Sequence, residues 1–220
     1  MTTQKRVLDL VGALVGLVLL APLFVVIALL VKLQDGGPVF FRQVRVGREG
    51  RRFQLWKFRT MTCGMPQNGL ELTVGDDPRV TLVGAWLRRL KLDEIPQLLN
   101  ILTGEMSLVR PRPEVPRYVA CYDPAQRRVL GLTPGLTDEA SLRFRDESTL
   151  LASVPDPAGF YLGTVLPEKI DLSLAYACRA TVWSDIGMII LTIWRVFGSR
   201  SPDASLLRAL GADSRAPLTS

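Results

Sequence analysis

The sequence predicts an α+β fold, mostly helical, built from an N-terminal re-entrant membrane helix, a small β-hairpin and interfacial amphipathic helices. Three observations predict it. Leu10–Val31 is a run of 22 uncharged, almost wholly apolar residues. Two strand-like stretches, Val39–Val46 and Phe53–Met61, flank the turn Gly47-Arg48-Glu49-Gly50. Further on, apolar residues recur at helical spacing beside basic ones. The chain divides into a membrane helix over 1–35, a folded domain over 36–198 and a tail over 199–220.

The first element follows from its length and flanks. A straight helix over the apolar run reaches about 33 Å, against a bilayer core of about 30 Å. Lys5 and Arg6 precede it, and Lys32 and an arginine series follow. The positive-inside rule then places both ends on the cytoplasmic side. A single span does not satisfy that; a re-entrant helix does. Pro22, near the middle, removes a helical hydrogen bond and favours a kink. A kinked span is the alternative. The run is too long for a cleavable signal peptide, and no small-x-small site leads into the charged region.

Gly36-Gly37-Pro38 ends this helix and the hairpin follows. In its second strand Phe53, Leu55, Lys57 and Arg59 share a face by period 2, which sets two cations together; a solvated basic strand face has the same pattern. Thr62–Asp77 reads as a loop. Val80–Leu102 reads as helix interrupted at Pro96, with an apolar stripe of Leu82, Val83, Trp86, Leu87 and Leu90 beside Arg88, Arg89 and Lys91. That suits an interfacial helix and equally a core helix with a basic outer face. Gly104 closes it.

Arg110-Pro111-Arg112-Pro113 is too proline-rich for helix or central strand. Pro116–Leu130 reads as a helix, Thr133-Pro134-Gly135 as a turn, Ser141–Asp146 as a short strand carrying Arg143 and Arg145, and Glu168–Phe197 as a helix. The apolar stretch Ile186–Trp194 is too short to span and suits the headgroup zone. This aromatic- and Leu-rich helix permits a homodimer without requiring one. In the tail, Ala204–Leu210 reads as one short helix.

Composition narrows the chemistry. The 220 residues hold 27 basic and 21 acidic side chains, net +6, and no histidine. The missing histidine removes Ser-His-Asp and Cys-His catalysis, HExxH zinc sites and His general bases. Cys63, Cys121 and Cys178 are far apart with no CxxC, so neither a zinc knuckle nor a disulfide framework is indicated. Lys32 to Arg59 holds eight basic residues and two acids, so this window carries the whole +6. A basic excess directly after the apolar run points to a membrane surface or to phosphate groups, with no nucleic acid among the expected partners.

Asp93-Glu94-Ile95-Pro96 is the most informative short string. Proline in a first helical turn with acids just ahead marks a helix start. Two carboxylates there, with cations close by, suit Mg²⁺ held against a phosphate, or one of them suits a nucleophile that forms an aspartyl phosphate. An ordinary capping pair bridged to Arg89 or Lys91 fits the same string. Lys57, Arg59, Arg88, Arg110, Arg112, Arg143 and Arg145 sit beside glycine, proline or strand signals, and guanidinium groups grip phosphate oxygens in pairs. Phosphoryl transfer asks mainly for positioning and charge neutralisation. There is no P-loop, GxGxxG or DxD motif, so the usual nucleotide folds are unsupported.

The ordered strings resemble a known family. They are Lys5-Arg6 with Asp9, Pro22, Pro38-Val39-Phe40-Phe41-Arg42-Gln43, Lys57-Phe58-Arg59-Thr60-Met61, Leu92-Asp93-Glu94-Ile95-Pro96-Gln97-Leu98-Leu99-Asn100, Gly104-Glu105-Met106-Ser107-Leu108-Val109, Pro111-Arg112-Pro113 and Pro134-Gly135-Leu136-Thr137. Over roughly residues 4 to 198 the chain resembles the monotopic phosphoglycosyl transferases, bacterial sugar transferases that begin glycan assembly on polyprenol phosphate. The resemblance implies transfer of a sugar phosphate from a nucleotide diphosphosugar, usually a UDP-sugar, to undecaprenyl phosphate, with release of a nucleoside monophosphate. It implies that Asp93 attacks the sugar-proximal phosphate to form a phosphosugar-aspartyl intermediate, in ping-pong order. It further implies that Mg²⁺ sits by Asp93 and Glu94, and that Arg59, Arg88, Arg112 and Arg145 contact phosphate and nucleotide, with Lys57 beside them. A cytoplasmic-face catalytic domain at the bacterial inner membrane, with both ends of the first helix cytoplasmic and Pro22 as the membrane kink, completes the expectation. The chain reads as a minimal catalytic version.

The departures are specific. Ala21 stands where many relatives carry Ser before the kink proline. Arg110 replaces a common Gly, and Asp138-Glu139-Ala140-Ser141 replaces a frequent Gly-Trp-Ala string, which bears on the donor sugar. Two other readings remain. One is a non-enzymatic membrane-surface module using the basic hairpin. The other is a glycosyltransferase that uses the carboxylates as acid and base and releases a nucleoside diphosphate.

Overall fold

The computed structural model describes residues 2–62 and 77–197. The expected loop interior at 63–76, with Cys63, and the expected tail with its short helix lie outside the described residues.

The apolar run forms α1, Thr3–Asp35, which carries Pro22 within it. The Thr2 side chain accepts from Lys5 N at 3.3 Å, and Gly36, at φ 71°, closes the helix by donating to Lys32 O at 3.0 Å. The helix is not an unsupported rod. Gly12, Ala13, Gly16, Leu20, Phe24, Ile27 and Val31 fall on one stripe by the 3.6 period, and Ala13, Ile27 and Val31 are buried in the main core. A Cβ at Gly12 would lie 2.5 Å from Leu108 Cδ1, and one at Gly16 3.2 Å from Leu98 Cδ1, so these glycines admit close packing. The opposite face is apolar and open: Leu14, Val18, Leu19, Val25 and Leu29 are each more than half exposed.

Both ends of α1 are fastened to the same folded body. Near the start, Lys5 Nζ pairs with Asp9 at 3.0 Å and Asp185 at 2.8 Å, all three buried. Asp9 Oδ1 also accepts from Ser107 Oγ and Leu108 N, both at 3.0 Å. Arg6 donates to Ile101 O at 2.7 Å and Leu102 O at 3.0 Å. At the far end Arg59 donates to Val31 O at 3.2 Å and pairs with the Asp35 carboxylate. A Cβ at Gly37 would collide with that guanidinium.

The hairpin is as expected, shorter at its second end. β1 (Phe40–Val46) and β2 (Arg52–Phe58) are antiparallel, with Phe40 opposite Phe58 and Val46 opposite Arg52. The turn uses positive φ at Glu49 (58°) and Gly50 (76°). Phe24 of α1 packs on Phe58 at 4.8 Å and on Phe40 at 5.8 Å between ring centroids, so the hairpin seats on the helix.

The expected helix 80–102 divides before its proline. α2 spans Leu82–Arg89, a tight turn covers Leu92–Glu94, and α3 spans Gln97–Thr103. The break is at Lys91, whose φ of 55° is left-handed. It turns Asp93 and Glu94 inward. The α2 stripe also splits: Gly84 and Leu87 are buried while Leu82 and Trp86 face outward.

Four later expectations are corrected. Gly135–Thr137 is a strand, β4, lying parallel to β3 (Ser107–Val109), not only a turn. A Cβ at Gly135 would meet the Arg110 backbone, so glycine permits the pairing. The helix expected over 116–130 is α4 (Pro116–Val119) followed by a 3₁₀ turn over Gln126–Gly131, because Pro124 disfavours helix at Asp123. The strand expected over 141–146 is helix α5 (Glu139–Arg143), capped by Asp138 accepting from Ser141 N at 2.8 Å. After α6 (Glu147–Ala152) and α7 (Pro157–Phe160), the long C-terminal helix becomes α8 (Leu166–Arg179) and α9 (Val182–Phe197). Ala180 is extended, and Thr181 and Ser184 cap the new start reciprocally, N to Oγ at 2.8 Å and N to Oγ1 at 3.1 Å. On α9, Trp183, Ile190, Ile193 and Trp194 are exposed.

Candidate active site

Three segments converge on one point: the Leu92–Glu94 turn, the end of β2 and the proline-bounded loop after β3. Arg112 grips both oxygens of Glu94, Nη1 to Oε2 at 2.6 Å and Nη2 to Oε1 at 2.5 Å. Lys57 Nζ donates to Oε1 of the same carboxylate at 3.3 Å. Pro111 and Pro113 hold the Arg112 loop extended, and Arg112 Nη1 also donates to Leu136 O at 3.3 Å, within β4. Asn100 aligns α3 with β2 by accepting from Trp56 N at 3.1 Å and donating to Gln54 O at 2.8 Å.

The two carboxylates differ in electrostatics. Burial and the neighbouring Glu94 charge push Asp93 up, against the pull of Lys57, Lys91 and Arg88. Burial also pushes Glu94 up, but Arg112 and Lys57 outweigh it and hold Glu94 well below the usual glutamate range. Burial lowers Lys57, with Glu94 and Asp93 opposing. Asp93 is 6% exposed, and its Oδ1 is sealed with no hydrogen-bond partner among the described residues. Arg88, on α2, donates from Nε to Thr60 Oγ1 at 2.8 Å; burial lowers it and the Asp93 charge opposes that.

The structure thus brings together Asp93, Glu94, Lys57 and Arg112, with Arg88 within their electrostatic reach. It engages two other expected residues elsewhere. Arg59 holds the end of α1, so Lys57 and Arg59 serve different carboxylates rather than one shared target. Arg145 donates to the backbone carbonyls of Arg195 and Val196 at the end of α9.

Two residues here had no site role in the sequence reading. Asp138, 1% exposed, accepts from Ser173 Oγ at 2.6 Å, and its charge helps keep Arg112 protonated. Gln97, fully buried, has both amide atoms unpartnered among the described residues. A polar residue opening the apolar α3 was the available signal.

A divalent cation is a partial fit. Among the described residues, no three His, Cys, Asp or Glu side chains group to hold a metal. Mg²⁺ commonly takes one or two carboxylates plus substrate phosphates. Asp93 offers an unpartnered oxygen, whereas both Glu94 oxygens are already bonded. The arrangement suits an anionic nucleophile meeting a phosphate ester among fixed cations.

Comparison with known proteins gives the same direction. A family profile described as bacterial sugar transferase matches residues 1–199. The chain is 35% identical over 204 residues to the UDP-glucose:undecaprenyl-phosphate glucose-1-phosphate transferase of Escherichia coli K12, covering 90% of this chain and 41% of that protein. It is 38% identical over 206 residues to the undecaprenyl-phosphate glucose phosphotransferase of Komagataeibacter xylinus, covering 90% of this chain and 36% of the relative. Against the exopolysaccharide production protein ExoY of Rhizobium meliloti it is 44% identical over 152 residues, 60% of this chain and 66% of that protein. The chain spans about two fifths of the length of the first two relatives.

Proposed function

Because this chain belongs to the bacterial sugar transferase family, we propose that it transfers a sugar phosphate from a nucleotide diphosphosugar, a UDP-sugar, to undecaprenyl phosphate and releases the nucleoside monophosphate. The observation that carries the reading is the division of labour in the dyad. Both Glu94 oxygens are bonded by Arg112 and Lys57, while Asp93 Oδ1 has no partner among the described residues. Two adjacent carboxylates whose environments drive them apart are suited to separate roles.

Asp93 attacks the sugar-proximal phosphorus. Its carboxylate oxygen forms the new P–O bond, the phosphoanhydride P–O bond breaks, and the nucleoside monophosphate leaves with that electron pair. A phosphate oxygen of undecaprenyl phosphate then attacks the same phosphorus and releases the Asp93 carboxylate. Glu94 stays ionised and keeps Arg112 and Lys57 at the site, where their remaining hydrogens neutralise phosphate charge. Arg88, steadied by Thr60, adds a third cation. Asp93 would hold Mg²⁺ with the donor phosphates, beside a Glu94 whose oxygens stay committed to Arg112 and Lys57, and the ion would supply charge neutralisation when bound.

The lipid acceptor requires a site at a membrane. The open apolar face of α1, with Leu82 and Trp86 on α2 and Trp183, Ile190 and Trp194 on α9, supports insertion of these surfaces into one leaflet. Both ends of α1 are bonded to the same domain, which supports a re-entrant helix with both ends on the cytoplasmic face of the bacterial inner membrane. Glu94 joining Arg112 favours the enzyme over a passive basic surface, which needs no such pair.

The test is turnover by the purified protein with Mg²⁺, undecaprenyl phosphate and a panel of UDP-sugars. The reading expects UMP and a lipid-linked sugar from at least one donor. Release of UDP, or no turnover across the panel by folded protein, contradicts it.

A further inference from the structure

Gln97 has no role in the steps above, yet its setting is costly. It is 0% exposed, and neither Oε1 nor Nε2 has a hydrogen-bond partner among the described residues. A buried polar group left unpaired is destabilising, and such groups call for a functional explanation or a partner still to bind.

Its position identifies the partner. Glu94, Gln97 and Asn100 follow at three-residue spacing along the helical path from the Leu92–Glu94 turn into α3, so they form one ridge. Both flanking members reach β2, Glu94 at Lys57 and Asn100 at Trp56 N and Gln54 O. Gln97 lies between these two on the ridge, and Lys57, which bonds Glu94 from β2, carries an ammonium with three hydrogens. Four residues earlier stands Asp93, with Oδ1 likewise sealed and unpartnered. Unspent bonding capacity is thus gathered next to the nucleophile, among cations that suit a phosphate.

We propose that Gln97 is a substrate-contacting residue of the Asp93 site, its Nε2–H donating to a non-bridging oxygen of the donor's sugar-proximal phosphate. This rests on the phosphoglycosyl transfer proposed above. Phosphorus has to come within bonding distance of Asp93, itself 6% exposed, and a phosphate that reaches Asp93 is one helical turn from Gln97.

The test compares the full chain with Gln97→Met, which keeps length and removes both polar atoms, and with the near-isosteric Gln97→Glu, which removes the donor. Thermal unfolding is read beside kcat and KM for a turned-over UDP-sugar and for undecaprenyl phosphate. The expected result for Gln97→Met is a Tm equal to or above the parent, with kcat/KM for the donor down at least tenfold and the acceptor KM within twofold. Gln97→Glu loses at least as much donor kcat/KM while remaining folded. Parent-like donor kcat/KM in Gln97→Met overturns the proposal. So does a lowered Tm in both variants with donor and acceptor parameters falling together, since that is a packing role. Failure of the parent chain to release UMP defeats the underlying transferase reading instead.

Discussion

Arg112 grips Glu94 through two parallel hydrogen bonds, at 2.6 and 2.5 Å, from a loop 18 positions further along the chain. That fork commits both oxygens of Glu94, whereas Asp93 Oδ1 has no hydrogen-bond partner among the described residues; on the proposed mechanism Asp93 is the carboxylate that reacts. Replacing Arg112 by Ala strands a mostly buried Glu94 with Lys57 alone. Removing one partner of a buried pair costs about 3–5 kcal/mol, and the Lys57 contact puts this case near 3 kcal/mol or slightly below. Arg112→Lys restores charge without the fork and recovers only part of the stability. Denaturant unfolding of both variants measures this; an unchanged midpoint in Arg112→Ala contradicts it.

The dyad also predicts a split between activity and stability on acidification. Glu94 is depressed in the fold, so its stabilisation is full above the ordinary glutamate value of about 4.3 and is lost as pH falls through its lower folded value. Asp93 is raised, so the carboxylate proposed to attack is lost at a higher pH than an ordinary aspartate near 3.9. The transfer rate should therefore fall on acidification before the fold melts. Asp93 has the opposite stability sign, its contribution being lost as pH rises through its raised value. Asp93→Asn should then raise Tm at neutral pH while abolishing transfer. A rate profile that collapses only together with the fold, or a lowered Tm in Asp93→Asn, counts against this assignment.

Arg59 gives a contrasting expectation. It ties β2 to the end of α1 through Val31 O and Asp35. Arg59→Ala should lower stability by about 2 kcal/mol, in the range for losing hydrogen bonds to a charged group. It should also speed proteolysis around Gly36-Gly37. Its loss of kcat/KM per folded molecule should be smaller than that of Arg112→Ala. An equal or larger loss would return Arg59 to the phosphate site.

Topology is tested by labelling. In a background with Cys63, Cys121 and Cys178 replaced by Ser, single cysteines at Thr3 and Gln34 should both react with an impermeant maleimide applied to inside-out vesicles. Neither should react in intact cells. Modification of one end from each side would instead indicate a span.

Much of this arrangement was legible in the sequence, and the omissions have physical causes. Leu10–Val31 and the hairpin are long, periodic and bounded by glycine, so α1, β1 and β2 emerge within a few residues. β3 and β4 have three residues each, too few to show a period, and one begins with Gly135. The break at Lys91 is not local in origin: it lets Glu94 meet β2 and Arg112, contacts that no nearby residue announces. Sequence spacing offered Arg89 or Lys91 as partners for the dyad, whereas Glu94 takes Lys57 and Arg112. Period 2 put Lys57 and Arg59 together, but Lys57 reaches Glu94 while Arg59, just past the end of β2, reaches Asp35 and Val31 O of α1. Gln97 was part of a quoted string without a role, because its burial is a tertiary property.

The most direct measurement is the intact mass of the purified chain incubated with its UDP-sugar and Mg²⁺ but no undecaprenyl phosphate. The account predicts a mass increment equal to one sugar phosphate, carried by the peptide containing Asp93, absent in Asp93→Asn and discharged when undecaprenyl phosphate is added. An enzyme that turns over while never carrying that increment, or an increment that persists in Asp93→Asn, contradicts it.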